Sequence, residues 1–137
     1  MRRTVGRLLL VLQTFVVYVL INFGLAVWSF DSLLRYLFSR SRLSRLRTGH
    51  LADRMAIDDV ISAVRTVTRY SYRDTLDCLP RSLCVYYLLR RRGVAVEFLL
   101  GVKTFPFAGH AWVEYNGCAI DESPSNVARY AVLLRES

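Results

Sequence analysis

The hydrophobic and polar positions divide the chain into an apolar helical front and a helix-then-sheet back. From Leu8 to Phe30 runs an uncharged stretch of 23 residues, broken only by mild polar groups such as Gln13, Thr14 and Asn22. Its length is enough to span a bilayer, although a helix buried against protein gives the same pattern. Next, Leu37, Phe38, Leu43 and Leu46 alternate with arginines between Arg35 and Arg47, which suits a helix lying on a headgroup surface or a solvated linker helix. Met55, Ile57, Val60, Ile61, Val64 and Val67 then recur at a helical period, with Asp53, Asp58, Asp59 and Arg65 mostly on the opposite face. That helix is expected to pack on the helix and sheet C-terminal to it.

The back of the chain begins DCLPRSLCVYYLLRRRG, where Asp77 can cap a helix, Pro80 sits in its first turn and Gly93 supplies the stop. After Gly93 the period becomes extended, and Val94 to Val102 reads as a buried strand. A loop from Lys103 to Gly109 comes next. Two further strands, His110 to Tyr115 and Cys118 to Asp121, flank Asn116-Gly117, the dipeptide preferred by a two-residue type I′ turn. The predicted class is therefore α+β, a helix packed on a small antiparallel sheet.

The turn fixes a register. With Asn116 and Gly117 as the loop, Tyr115 faces Cys118, Trp112 faces Asp121 and His110 faces Ser123, so His110 and Asp121 are diagonal neighbours on one sheet face. A three-residue loop with a bulge would slip the pairing by one and put Glu122 beside His110 instead. Asp121 is the expected partner and Glu122 the alternative.

Length and composition narrow the function. With 137 residues, 53% of them hydrophobic, there is room for one catalytic domain, read as residues 51–137 behind an apolar, arginine-rich segment at 1–50. The apolar run is too long for a secretory h-region and lacks a small-residue cleavage site, so it is not read as a removable signal. Arginines are more numerous after it than before it, which favours a cytoplasmic catalytic part that can associate with the inner face of the membrane. Three cysteines, without a CxxC pair, indicate neither a disulfide framework nor a zinc or redox site. Asp53, Asp58 and Asp59 lack histidine companions and read as helix N-terminal charge, so no metal or cofactor is expected. The net charge of +8 points to anionic lipid or an acidic peptide, and without a recognition motif nucleic acid is not the expected partner.

Cys78 stands at a helix N-terminus, where unpaired amides and the helix dipole favour thiolate over thiol. Most free cysteines are small buried hydrophobes, and Cys84 and Cys118 fit that description. His110 alone would read as a core histidine, and Asp121 alone as a turn carboxylate. In the order Cys, His, Asp, on helix start, strand start and following strand, the three match a thiol nucleophile, its base and an orienting carboxylate.

The pattern CLPRSL followed by LLGV, HAWVEYNG and Asp121, with a cysteine 32 residues upstream of the histidine, resembles the stand-alone transglutaminase-like leader peptidases of lasso peptide biosynthesis. The resemblance covers about residues 50 to 125. It implies a transglutaminase-like or papain-like cysteine protease core that removes the leader from a ribosomally made precursor peptide. It also implies dependence on a separate leader-recognition protein and a separate macrolactam cyclase. Carried over, Cys78 is the nucleophile, His110 its base and Asp121 the residue that fixes the His110 tautomer; the Cys78 amide would serve the oxyanion. No glutamine stands where papain-like enzymes place a side-chain oxyanion donor, Gln13 being in the apolar run. Trp112 is expected on the His110 face, and Phe105 and Phe107 are expected to line a substrate cleft. The alternatives are an acyl transferase using the same triad and a catalytically silent membrane adaptor.

Overall fold

A computed structural model describes residues 2–41, 50–69 and 77–137. In chain order the elements are α1 (Arg2–Val27), α2 (Phe30–Ser41), α3 (His50–Thr68), α4 (Cys78–Arg91), β1 (Val96–Thr104), β2 (Phe107–Tyr115), β3 (Cys118–Ala119), α5 (Pro124–Val127) and β4 (Ala131–Glu136). The strands form one antiparallel sheet in the order β3-β2-β1-β4. The fold is α+β, as the periodicity predicted. Leu43, Leu46 and the arginines at 42, 45 and 47 lie outside the described residues, as does the stretch 70–76.

The core forms where α4 meets β1 and β2. Leu83, Tyr86, Leu88 and Leu89 of α4 pack with Val96 and Phe98 of β1 and Ala111 and Val113 of β2, all nearly inaccessible to solvent. Val60 and Val64 of α3 join this cluster, and so do Tyr18 and Ile21 of α1 and Leu33, Leu34 and Leu37 of α2. The apolar front of the chain and the cysteine-bearing back thus share a single core. Thr14, fully buried on α1, is satisfied within its own helix by the Leu10 carbonyl at 2.7 Å, and Asn22 donates to the Tyr18 carbonyl at 2.8 Å. That explains how an apolar helix carries these polar groups at no cost in unsatisfied donors.

Several expectations change. Met55 is exposed, whereas Asp53 is buried and accepts a hydrogen bond from the Tyr115 hydroxyl at 2.9 Å. A period count cannot foresee a partner 62 residues away. The loop expected at 103–109 is mostly strand: β1 runs on to Thr104, β2 starts at Phe107, and Thr104 pairs with Phe107 across the Phe105-Pro106 turn. Sequence periodicity gave no sign of β4, which adds an outer strand on β1 through a register shift beside Gly101.

The Asn116-Gly117 turn forms as predicted. Both residues have positive φ, 51° and 76°, as a type I′ turn requires, and Tyr115 pairs with Cys118. The ladder then stops: β3 is two residues long, and Asp121 takes φ 57°, a left-handed conformation that turns the chain out of the sheet. The expected facing pairs Trp112 with Asp121 and His110 with Ser123 therefore do not form.

Candidate active site

Because β3 ends early, the outer edge of β2 is left open at Ala111, and α4 occupies it. Peptide groups on an antiparallel strand alternate between its two neighbours. Val113 turns its carbonyl outward to the Ile120 amide at 2.8 Å, so Ala111, two residues earlier, also turns its N–H and C=O outward. The Ala111 carbonyl accepts from the buried Ser82 hydroxyl at 2.8 Å, and its amide is among the groups that draw the Cys78 pKa down. Cys78 and Ser82 are one helical turn apart, so Ala111 of β2 faces two successive turns of α4.

The start of α4 is built to serve that sulfur. Asp77 stands at the N-cap but has helical dihedrals (φ −85°, ψ −3°), and its side chain makes no capping bond. The expected aspartate cap is thus absent, because a capping side chain needs an extended backbone to reach the first-turn amides. The Leu79 N–H is among the groups that favour the Cys78 thiolate. Pro80 follows in the first turn as predicted, and Gly93, with φ 80°, closes the helix at the other end.

His110 completes the pair. Burial pushes the Cys78 thiol up, but hydrogen bonding to His110, the Ala111 amide, the His110 charge and the Leu79 amide outweigh it, leaving the thiol more acidic than usual. His110 moves the opposite way. The hydrogen bond with Cys78 raises its pKa most, burial opposes, and the hydrogen bond and charge of Glu122 raise it further. Both shifts favour a thiolate–imidazolium pair.

The carboxylate on His110 is Glu122, not Asp121. Glu122 Oε2 lies 2.9 Å from His110 Nε2, which leaves Nδ1 for the cysteine. The other oxygen, Oε1, accepts from Asn126 Nδ2 of α5 at 2.5 Å, so Glu122 is held at both ends. The physical reason is the left-handed turn at Asp121, which exchanges the directions of two consecutive side chains without any slip in the Asn116-Gly117 hairpin. Asp121 points instead into a clamp between Arg65 of α3 and Arg81 of α4, with its side chain only 8% exposed.

Aromatic rings frame the imidazole. Trp112 lies nearly parallel to it at 5.9 Å between centroids, and Tyr130, just before β4, lies at 5.1 Å. Trp112 is also buried and donates from Nε1 to Glu114 at 3.0 Å, so it shields the histidine while belonging to the core. Phe105 and Phe107 stand at the exposed tip of the β1–β2 hairpin and do not line the cavity around Cys78 and His110, contrary to expectation. The other thiols differ from Cys78: Cys84 is buried, its pKa pushed up to about 12 by desolvation, and Cys118 is exposed beside the turn. Ser82, Asn126 and Tyr130 had no sequence signal marking them as neighbours of the site. For Arg81 the only hint was its place one turn along from Cys78.

Comparison with known proteins bears on the family of the chain. The family model described as the Transglutaminase-like superfamily matches residues 17–135. The microcin J25-processing protein McjB of Escherichia coli is 33% identical over 57 residues, which cover 42% of this chain and 27% of that protein. The chain thus spans about a quarter of the curated relative that it matches. No solved structure matches it. With a match across most of its length, and an α+β fold carrying a cysteine at a helix start and a histidine on the adjoining strand, the chain belongs to the transglutaminase-like superfamily.

Proposed function

We propose that the protein is a cysteine peptidase that removes the leader from a ribosomally made lasso peptide precursor, with Cys78, His110 and Glu122 as its catalytic groups. The observation that carries the reading is that Cys78, His110 and Glu122 line one cavity, with Glu122 hydrogen-bonded to His110. The similarity to a microcin J25-processing protein supports the substrate class. The Cys78 thiolate attacks the scissile carbonyl carbon, and the developing oxyanion is placed at the start of α4, where the Cys78 amide is the proposed donor. As the C–N bond breaks, His110 gives its proton to the leaving amine, and the acyl group stays on Cys78 as a thioester. His110 then takes a proton from water, whose oxygen attacks the thioester and releases the carboxylate product and the thiolate. Glu122 stabilises the imidazolium and fixes which nitrogen faces sulfur. The Asp121 role first expected passes to Glu122, and Asp121 serves the turn that presents it.

The reading includes a separate leader-recognition protein and a macrolactam cyclase as partners, and a cytoplasmic site at the membrane. For the membrane, the supporting feature is α1, which is long and apolar enough to cross a bilayer. Its side toward the core carries Thr14, Tyr18, Ile21 and Gly24, while Leu8, Leu12, Phe15, Val19 and Phe23 stand about half exposed or more on the other side. A helix packed along its length on α3 and α4 suits lying in the lipid surface better than crossing it.

The test is cleavage of a precursor peptide encoded beside the gene, followed by mass spectrometry. Cys78→Ala should abolish cleavage while circular dichroism stays unchanged, and cleavage by that variant would end the peptidase reading. Transfer of an added amine onto glutamine, with no peptide hydrolysis, would identify the acyl transferase instead.

A further inference from the structure

Next to the cavity around Cys78 lies a larger groove of about 850 Å³, between α3 and the free edge of β3. The two adjoin, since Ile61, Ile120 and Asp121 line both. Its floor is apolar, from Ile57 and Ile61 on α3 and Ile120 after β3. Along α3 it is bordered by Arg54, Arg65 and Arg69, all exposed, with Asp58 as the acidic group on the same wall. Arg65 is engaged by Asp121, which leaves Arg54 and Arg69 against Asp58 and an excess of positive charge.

The opposite wall offers backbone. In the Asn116-Gly117 hairpin, Tyr115–Cys118 is the hydrogen-bonded pair next to the turn, and the Ile120 amide bonds to Val113. By alternation, Ala119 turns its own N–H and C=O away from β2, toward the sheet edge that borders the groove. An extended chain laid there can add to the sheet edge through this peptide unit. Its side chains would then alternate between the isoleucine floor and the arginine border.

We propose that this groove binds a flank of the peptide substrate as an added strand, and that it selects segments in which apolar residues alternate with carboxylates. The proposal rests on the peptidase reading for what the bound peptide is, and its test is arranged so that the two can fail separately.

The test uses full-length Cys78→Ala protein and fluorescein-labelled decapeptides of alternating leucine and glutamate, leucine and lysine, or leucine and serine, read by fluorescence anisotropy. The leucine–glutamate peptide should bind about tenfold or more tighter than the leucine–lysine one, a difference of about 1.4 kcal/mol. The double variant Arg54→Glu with Arg69→Glu, both at exposed positions, should reverse that order. N-methylation of all leucine amides or of all glutamate amides should abolish binding in one case and spare it in the other, since only one set faces Ala119. No binding of the leucine–glutamate peptide, indifference to the charge reversal, or equal tolerance of both N-methylated peptides would overturn the proposal. The peptidase reading is scored apart, by wild-type cleavage of a precursor. Binding without any cleavage would sink that reading and leave the groove standing; cleavage without charge preference would do the reverse.

Discussion

Replacing Glu122 by glutamine keeps the shape of the side chain and removes its charge, so it isolates what the carboxylate does for His110. The two groups are 2.9 Å apart with side chains only 16% and 24% exposed, so solvent screens them little. A hydrogen bond to a charged partner in such a setting contributes about 1.5–3 kcal/mol. The imidazolium it stabilises is the partner of the Cys78 thiolate in the active form, and a loss of that size in the transition state lowers kcat/KM by about 10- to 150-fold. The pH profile should change with it. Activity requires the window between the lowered Cys78 pKa and the raised His110 pKa. Removing the Glu122 charge disfavours imidazolium, which moves the alkaline limb down and the acid limb up. The control is Asp121→Asn. Asparagine tolerates the left-handed backbone, and the lost ion pairs involve partly exposed arginines, so the change should cost about 0.5–1 kcal/mol of stability and less than about threefold in rate. Precursor cleavage across pH, followed by chromatography, measures both variants. If Asp121→Asn lost activity as heavily as predicted for Glu122→Gln while Glu122→Gln kept it, Glu122 would not be the orienting carboxylate.

Ser82→Ala should lower stability by about 1–3 kcal/mol, measured by urea titration, because it leaves the Ala111 carbonyl unpaired in a buried setting; a change under about 0.5 kcal/mol would mean that water replaces the hydroxyl. Gly101→Ala should be worse for activity than its single methyl suggests. The added carbon would stand 3.0 Å from the Ala131 carbonyl, from the Trp112 ring and from Tyr130, the two aromatics that frame His110. We expect about 1–3 kcal/mol of destabilisation and a rate loss that survives correction for folded fraction, and normal activity would show that the rings have room to move. Tyr115→Phe should lower the thermal midpoint, since it strips the buried Asp53 carboxylate of its hydroxyl donor; an unchanged midpoint would refute this.

Local chemistry made much of this fold legible. Asn116-Gly117 specified its turn because both residues must adopt positive φ, and Pro80 and Gly93 bracketed α4 because each belongs at one end of a helix. Cys78 was singled out for its place at a helix start, a local feature with known chemistry, whereas His110, read as a strand start, lies inside β2; the structure brings the two to one cavity. Glu122 was not chosen over Asp121, because the choice turns on the dihedral angle of one residue, whose carboxylate pairs with Arg65 and Arg81 from two other helices. Asp53 failed for a related reason, its burial depending on Tyr115 across the fold. The hairpin tip at Phe105 and Phe107 was read as loop because aromatic side chains 94% and 79% exposed do not show the alternation that marks a half-buried strand.

The most direct measurement is the rate of iodoacetamide alkylation at each cysteine as a function of pH, resolved by peptide mapping. Cys78 should react fastest at pH 6, with a midpoint below that of an ordinary thiol that rises toward the ordinary value in His110→Ala, while Cys84 stays inert in its buried site. A Cys78 that reacts no faster than Cys118 at pH 6, with the same profile whether or not His110 is present, would contradict the thiolate–imidazolium pair and the catalysis built on it.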